Sequence, residues 1–151
     1  MIGKTDQPYL NEGISEYVSR LKHYIPTELI IIQALKNVGN LSPEQIKQKE
    51  GELVLKQINT NDVVILLDEN GKQYASIEFA DFMQQQMNRS IQNLVFIIGG
   101  AYGFSQEIHS KFTKKISFSK MTFSHQMIRL FFVEQVYRAF TILKNESYHH
   151  S

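Results

Sequence analysis

Leu94-Val95-Phe96-Ile97-Ile98-Gly99-Gly100-Ala101-Tyr102-Gly103 joins five consecutive apolar residues to three glycines in five positions. A continuous apolar run rich in β-branched residues reads as a strand covered on both faces, the habit of parallel sheets. Glycines directly behind it imply a tight backbone at the strand's carboxyl end. Working outward, Leu29-Ile30-Ile31-Ile32 and Val63-Val64-Ile65-Leu66-Leu67 read as two more buried strands. The second is ended by the turn signal Asp68-Glu69-Asn70-Gly71. Ile116-Ser117-Phe118 reads as a short fourth strand.

Helical periodicity fills the intervals. Asp6 is the expected N-cap of a first helix with Pro8 in its opening turn and Leu10, Ile14, Tyr17, Val18 and Leu21 on one face, up to about His23. Ser42-Pro43-Glu44-Gln45 is a capping box opening a polar helix that carries Ile46, Leu53, Val54 and Ile58. Residues 76–87 form a helix with Phe79, Met83 and Met87 in register, and Ser105 caps a short helix to about Phe112. Ser124 is the expected cap of the longest helix, where Ile128, Phe131, Phe132, Gln135, Val136, Ala139, Phe140 and Leu143 build a wide apolar face. The fold class is α/β: a mostly parallel sheet flanked by helices, in one domain over residues 1–151. Met1-Ile2-Gly3-Lys4 stands where the alternation calls for a strand and is too short to be a full one, so a strand largely missing from the sequence is expected there.

With 151 residues, 42% apolar and 21% charged, the chain is long enough to bury a proper core, and disorder is ruled out. The absence of Cys excludes disulfide scaffolds, Cys-type zinc sites, Fe–S clusters and thiol nucleophiles, and suits a reducing compartment. Cytoplasm is the default expectation. No apolar run approaches the roughly 20 residues of a membrane span, and residues 1–10 are too polar for a signal peptide. Residues 1–93 carry 9 basic and 12 acidic side chains, whereas residues 94–151 carry 7 and 3, so the cationic excess lies C-terminal. Such a gradient permits an anionic partner and equally describes an uneven solvated surface.

Ligands of open parallel sheets gather outside the carboxyl ends of the strands. Three such ends stand out: Leu67-Asp68, residues 99–103 and residues 118–123. The glycine loop lets a ligand press against backbone, or is a tight turn that binds nothing; it has neither dinucleotide nor Walker spacing. His125 would start the long helix, and Arg129, one turn on, shares its face, which together make a ready anion site; alone, His125 is as well explained as an exposed helix-start residue. Glu134 and Arg138 have the spacing of a surface pair. Tyr148, His149 and His150 fit a loose tail. No hydrolase triad, metal-binding helix or carboxylate cluster is present in the pattern.

Taken together, Ile97-Ile98-Gly99-Gly100-Ala101-Tyr102-Gly103, Thr122-Phe123-Ser124-His125-Gln126, Arg129, Glu134-Gln135-Val136-Tyr137-Arg138-Ala139 and Tyr148-His149 resemble the RlmH family. Its members are SPOUT-class methyltransferases acting on pseudouridine in large-subunit ribosomal RNA. The resemblance covers nearly the whole chain, in order and spacing. It implies S-adenosylmethionine as methyl donor, N3 of a pseudouridine as acceptor, ribosomal RNA or the assembled ribosome as partner, and a homodimer built on a C-terminal trefoil knot. By position it implies a cofactor pocket from Leu67, Gly99, Phe118, Ser119, Lys120, Met121, Thr122 and Phe123. It also sets His125, Arg129, Tyr148 and His149 near the RNA and target base. Ser124, Gln126 and Ser147 stand where many members have Pro.

The implied reaction is in-line transfer of a methyl group from a sulfonium to a ring nitrogen, with alignment and removal of the N3 proton left to the protein. His125 and His149 are rival candidates for the base. Lys111, Lys114, Lys115, Lys120 and Arg129 are expected to contact phosphate, giving salt-sensitive RNA binding. A SPOUT enzyme of other specificity, such as ribose methylation, and a non-catalytic dimeric ribosome-binding module are the alternatives.

Overall fold

The computed structural model describes residues 1–89 and 91–149, which form two compact units. The first, from residues 1–4, 30–73 and 92–125, holds helix α2 (Pro43–Leu55), strand β1 (Asp62–Gln73), strand β2 (Asn93–Ile98), helix α4 (Gln106–Lys111) and strand β3 (Lys115–Ser117). The sheet has the order β2-β1-β3 and both pairings are parallel. Val64 and Leu66 of β1 pack with Ile97, Val54, Phe104 and Ile108, while Ile65, pointing the other way, is equally buried. A strand apolar on every position is therefore what this sheet requires.

β1 does not stop at the turn signal after Leu67. Leu67 pairs with Ile116, the register then slips, and Lys72 pairs with the same Ile116, so residues 68–71 form a bulge inside the strand. Asp68 Oδ1 accepts from the Asn70 N–H at 2.9 Å, as an Asx turn does. Gly71 passes so close to β3 that a Cβ there would lie 2.4–2.7 Å from the Ile116 backbone.

The expected strand at 29–32 is corrected. Only Ile32 bridges, in parallel, to Ile2, and Leu29, Ile30 and Ile31 are exposed. Residues 1–3 offer that segment one bridging position, flanked by Gly3 N–H to Ile32 O at 2.8 Å and Ile32 N–H to Met1 O at 2.9 Å. Ile2 in turn donates to Ile98 O at 3.3 Å. Apolar sequence alone does not make a strand when the neighbouring ladder is this short.

The second unit contains helices α1 (Pro8–Leu21), α3 (Ser76–Met87) and α5 (Met127–Leu143), with α5 packed on both others. α1 starts behind Gln7 rather than Asp6, whose carboxylate accepts instead from Gln126 Nε2 at 2.9 Å. α5 starts at Met127 behind Gln126, with no side-chain cap, so Ser124 is not its cap. α3 has the expected span, and Glu78 accepts from the Ala75 N–H at 2.8 Å; Phe79 and Met83 are buried, whereas Met87 is exposed and Gln86 takes an inward position. On α5, Phe132, Val136, Ala139 and Phe140 are buried, but Phe131 faces solvent.

Candidate active site

Parallel pairing brings the carboxyl ends of β2 and β3 level with Leu67, the residue at which the bulge of β1 begins. Leu67 sits opposite Ile98 of β2 and Ile116 of β3, so Gly99 follows immediately on one side and residues 118–123 follow two positions on from Ile116 on the other. Neighbouring strands lie about 4.8 Å apart, which makes Leu67 the middle of a three-strand mouth. The glycine stretch closes as a turn in which the Gly103 N–H donates to Gly100 O at 3.1 Å, with Gly103 at φ +78°, open to solvent where a Cβ would stand. Residues 118–123 form an irregular bend: Ser117 Oγ donates to Ser119 O at 2.9 Å and Ser119 Oγ accepts from the Met121 N–H at 2.9 Å. Those bonds leave Met121 76% exposed, with Lys120, Thr122 and Phe123 also exposed and Phe118 and Ser119 half-buried. Leu67 is half-buried and Gly99 buried. The edge thus offers backbone donors and acceptors beside apolar side chains, a set that suits a small ligand with both polar and apolar parts.

Two polar groups of the first unit were not singled out by sequence reasoning. Glu50, in the middle of α2, is only 7% exposed, and its Oε2 is buried without a hydrogen-bond partner among the described residues. Burial pushes its carboxyl pKa up. The carboxylate lies against the glycine turn: a Cβ on Gly100 would meet its Oε2 at 2.6 Å and Oε1 at 3.0 Å. The signal was present in the spacing, because Ile46, Glu50 and Val54 are four apart and share one helix face, all of it buried. His109 of α4 has Nε2 3.7 Å from Asp68 Oδ2, next to Leu67, and lies edge-on to Phe104.

His125 is half-buried in the turn that closes the first unit. The other RNA-side candidates belong to the second unit. Arg129 is completely buried and donates from Nη1 to Thr5 Oγ1 at 3.0 Å; burial lowers its pKa, opposed by the charge of Asp6. The expectation of a surface phosphate contact is corrected for this residue: one turn into α5, position 129 falls on the inward face.

The tail is not loose through His149. α5 ends at Leu143 with Lys144 as its C-cap and Asn145 in the left-handed region at φ 55°; the Asn145 N–H donates to Ile142 O at 3.0 Å and the Glu146 N–H to Thr141 O at 2.9 Å, a Schellman motif that reverses the chain. Tyr24 then donates to Glu146 at 2.6 Å. Tyr148 donates to Glu134 at 3.0 Å, so its single proton is used and the Tyr17 hydroxyl, 3.0 Å away, is the donor between the two phenols. Arg138 pairs with the same Glu134 and stacks 4.7 Å from the Tyr148 ring, while Tyr137 packs edge-on at 4.9 Å. The expected Glu134–Arg138 pair is therefore also the anchor of the tail. Burial, with the Tyr17 and Glu134 contacts, pushes the Tyr148 pKa upward, so at neutral pH it is a phenol donor and not a base. His149 is half-buried with Nδ1 shielded and without a partner among the described residues. His150 lies outside the described residues.

Among the described residues no group of three or more His, Asp or Glu is placed to hold a metal ion, and no helix is long and apolar enough to cross a membrane.

The family described as "Predicted SPOUT methyltransferase" matches residues 1–149. Three relatives each carry the name Ribosomal RNA large subunit methyltransferase H. That of Parabacteroides distasonis is 54% identical over 150 residues, 99% of this chain and 96% of the relative. Those of Christiangramia forsetii and Flavobacterium psychrophilum are 56% and 58% identical over 149 residues, 99% of this chain and 95% of each relative.

Proposed function

Because this chain belongs to the SPOUT methyltransferase family, we propose that it is the enzyme that methylates N3 of a pseudouridine in large-subunit ribosomal RNA, with S-adenosylmethionine as donor. The observation that carries the site is the convergence of Leu67, Gly99 and residues 118–123 at one sheet edge, in the order parallel pairing dictates. Gly99 and the bend at 118–123 would hold the donor by backbone groups, with Leu67, Phe118, Met121 and Phe123 as apolar wall and Ser119, Lys120 and Thr122 as polar contacts. S-adenosylmethionine supplies a methyl group already activated by its positive sulfur.

What the chain adds is orientation and a proton acceptor. Holding nucleophile and leaving group in line is worth roughly 7–11 kcal/mol at best. The N3 proton goes to an imidazole, His125 or His149, because the Tyr148 phenol is held protonated and Arg129 is a cation. Tyr148 is then a hydrogen-bond donor, and Arg129 a positioning group that braces the start of α5 through Thr5. Residues 1–151 act as one methyltransferase domain in the cytoplasm, as a homodimer with the C-terminal segment threaded as a trefoil knot.

The test is to incubate the protein with labelled S-adenosylmethionine and ribosomes or free large-subunit RNA, digest the RNA and identify the methylated nucleoside by mass. N3-methylpseudouridine is the expected product. A ribose-methylated nucleoside would assign another specificity, and absence of transfer together with absence of cofactor binding would leave a ribosome-binding module.

A further inference from the structure

Glu50 is an odd residue to keep in a core. It stands in the middle of the buried stripe of α2 between Ile46 and Val54, shielded from solvent, and its Oε2 accepts no hydrogen bond among the described residues. An unpaired carboxylate removed from water is a strongly unfavourable group, and the sequence has an inexpensive alternative in glutamine or an aliphatic residue of the same length. The carboxylate is also not randomly aimed. It reaches the glycine turn and occupies the space where a side chain on residue 100 would begin, which makes glycine at 100 the condition for its reaching the turn at all. Gly100 directly follows Gly99, the residue proposed above to hold the methyl donor.

We propose that Glu50 is a ligand-contacting residue of the cofactor site, its carboxylate accepting a hydrogen-bond donor of bound S-adenosylmethionine through the gap left by Gly100. This rests on the reading that the glycine turn holds that cofactor. The donor chemistry available is of two kinds, the ribose hydroxyls and the α-ammonium of the methionine portion, and either satisfies an acceptor otherwise left without a partner. Burial disfavours the charged carboxylate in the free protein, and a cationic or hydroxyl donor would offset that penalty by supplying the missing partner.

The experiment is calorimetric titration of the full chain and of Glu50→Gln with S-adenosylmethionine and with its demethylated product, alongside thermal melts of both proteins without ligand. Glu50→Gln is expected to bind at least tenfold more weakly while melting at the same or a higher temperature, because the variant removes a buried charge and leaves the shape. Binding within twofold of the parent overturns the proposal. So does a lower melting temperature or failure to fold, since the carboxylate would then be a structural brace. A parent protein that binds neither ligand overturns the cofactor reading itself, an outcome distinct from an unaffected variant. 5′-Methylthioadenosine, which keeps the ribose and lacks the amino acid, locates the contact: equal weakening by Glu50→Gln assigns it to the ribose, and no weakening there beside weakened S-adenosylmethionine binding assigns it to the ammonium. Gly100→Ala provides a second route, because its Cβ must push the carboxylate aside; it too is expected to weaken binding with Glu50 still in the chain, and unchanged affinity would count against the contact.

Discussion

Gly71 illustrates how much one missing methyl group can decide. The residue sits in the bulge of β1, and a Cβ on it would stand 2.4 Å from the carbonyl carbon of Ile116 and 2.6 Å from its nitrogen, atoms that cannot swing away as a side-chain tip can. Gly71→Ala therefore has to move one backbone relative to the other, at a cost of about 1–3 kcal/mol by analogy with other overpacked sites. The check is a urea denaturation curve, where the variant's midpoint should fall well below the parent's. An unchanged midpoint would mean that the two backbones do not approach as described. Arg129 teaches the opposite lesson: read as a cation one turn into a helix it suggests a ligand for phosphate, yet its guanidinium is enclosed and bonded to Thr5. The letter code states the charge and not the direction in which the helix turns it.

Helices with strong capping or periodic signals begin where the sequence puts them. Ser42 and Gln45 exchange the two bonds of a capping box, at 3.3 Å and 2.9 Å, and α2 begins at Pro43. α3 spans residues 76–87, and Ser105 accepts from the Ile108 N–H at 3.3 Å. Where the signal is only apolar content or a lone polar residue, the outcome differs, as at 29–32 and at Asp6 and Ser124, because tertiary partners decide which local option is taken up. The start of the sheet is held by one acidic side chain. Asp62 accepts from the Asn59 N–H at 2.8 Å and from Asn93 Nδ2 at 2.9 Å, tying β1 to β2, and these bonds lower its pKa, the backbone one most. A carboxyl lowered on folding stabilises the protein above its unfolded pKa, and that contribution is lost as pH falls through the folded value. Asp62→Ala should thus cost about 1 kcal/mol at neutral pH, and the gap to the parent should close as the pH drops below the usual aspartate value of 3.8. Melts of both proteins across an acid series measure it; a gap that stays constant would show that the carboxylate's charge is not what ties the strands.

For the molecule as a whole, the charge gradient and the exposed apolar residues carry the remaining expectations. Lys111, Lys114 and Lys120 are exposed and Lys115 half-buried, all within ten residues between α4 and the bend after β3. If they meet RNA phosphates, affinity should fall steeply with salt, and Lys114→Ala with Lys120→Ala should reduce the log–log salt slope by about 1–2, roughly one for each phosphate no longer neutralised. Filter binding over a salt series reads the slope, and an unaltered value would place the RNA elsewhere. The proposed dimer draws on α5, whose Phe131 is 42% exposed. Analytical sedimentation is expected to give twice the 17.5 kDa chain mass, and a monomer at micromolar concentration would contradict the assembly.

The order of the five helices, the strand segments around Val63–Leu67, Leu94–Ile98 and Ile116, the parallel α/β class and the glycine turn at a strand's carboxyl end were legible in the chain, since each follows from local periodicity and from residues with distinctive backbone preferences. The family resemblance was legible for the same reason: its motifs are short, ordered stretches. What folding alone settled were relations between distant residues. The double pairing of Ile116 across a bulge, the enclosure of Arg129, the anchoring of Tyr148 by Tyr17 and Glu134, and the aim of Glu50 at Gly100 each depend on which face meets which neighbour. Such meetings are set by the sum of many weak packing and solvation terms over the whole molecule, and no local stretch of sequence contains that sum.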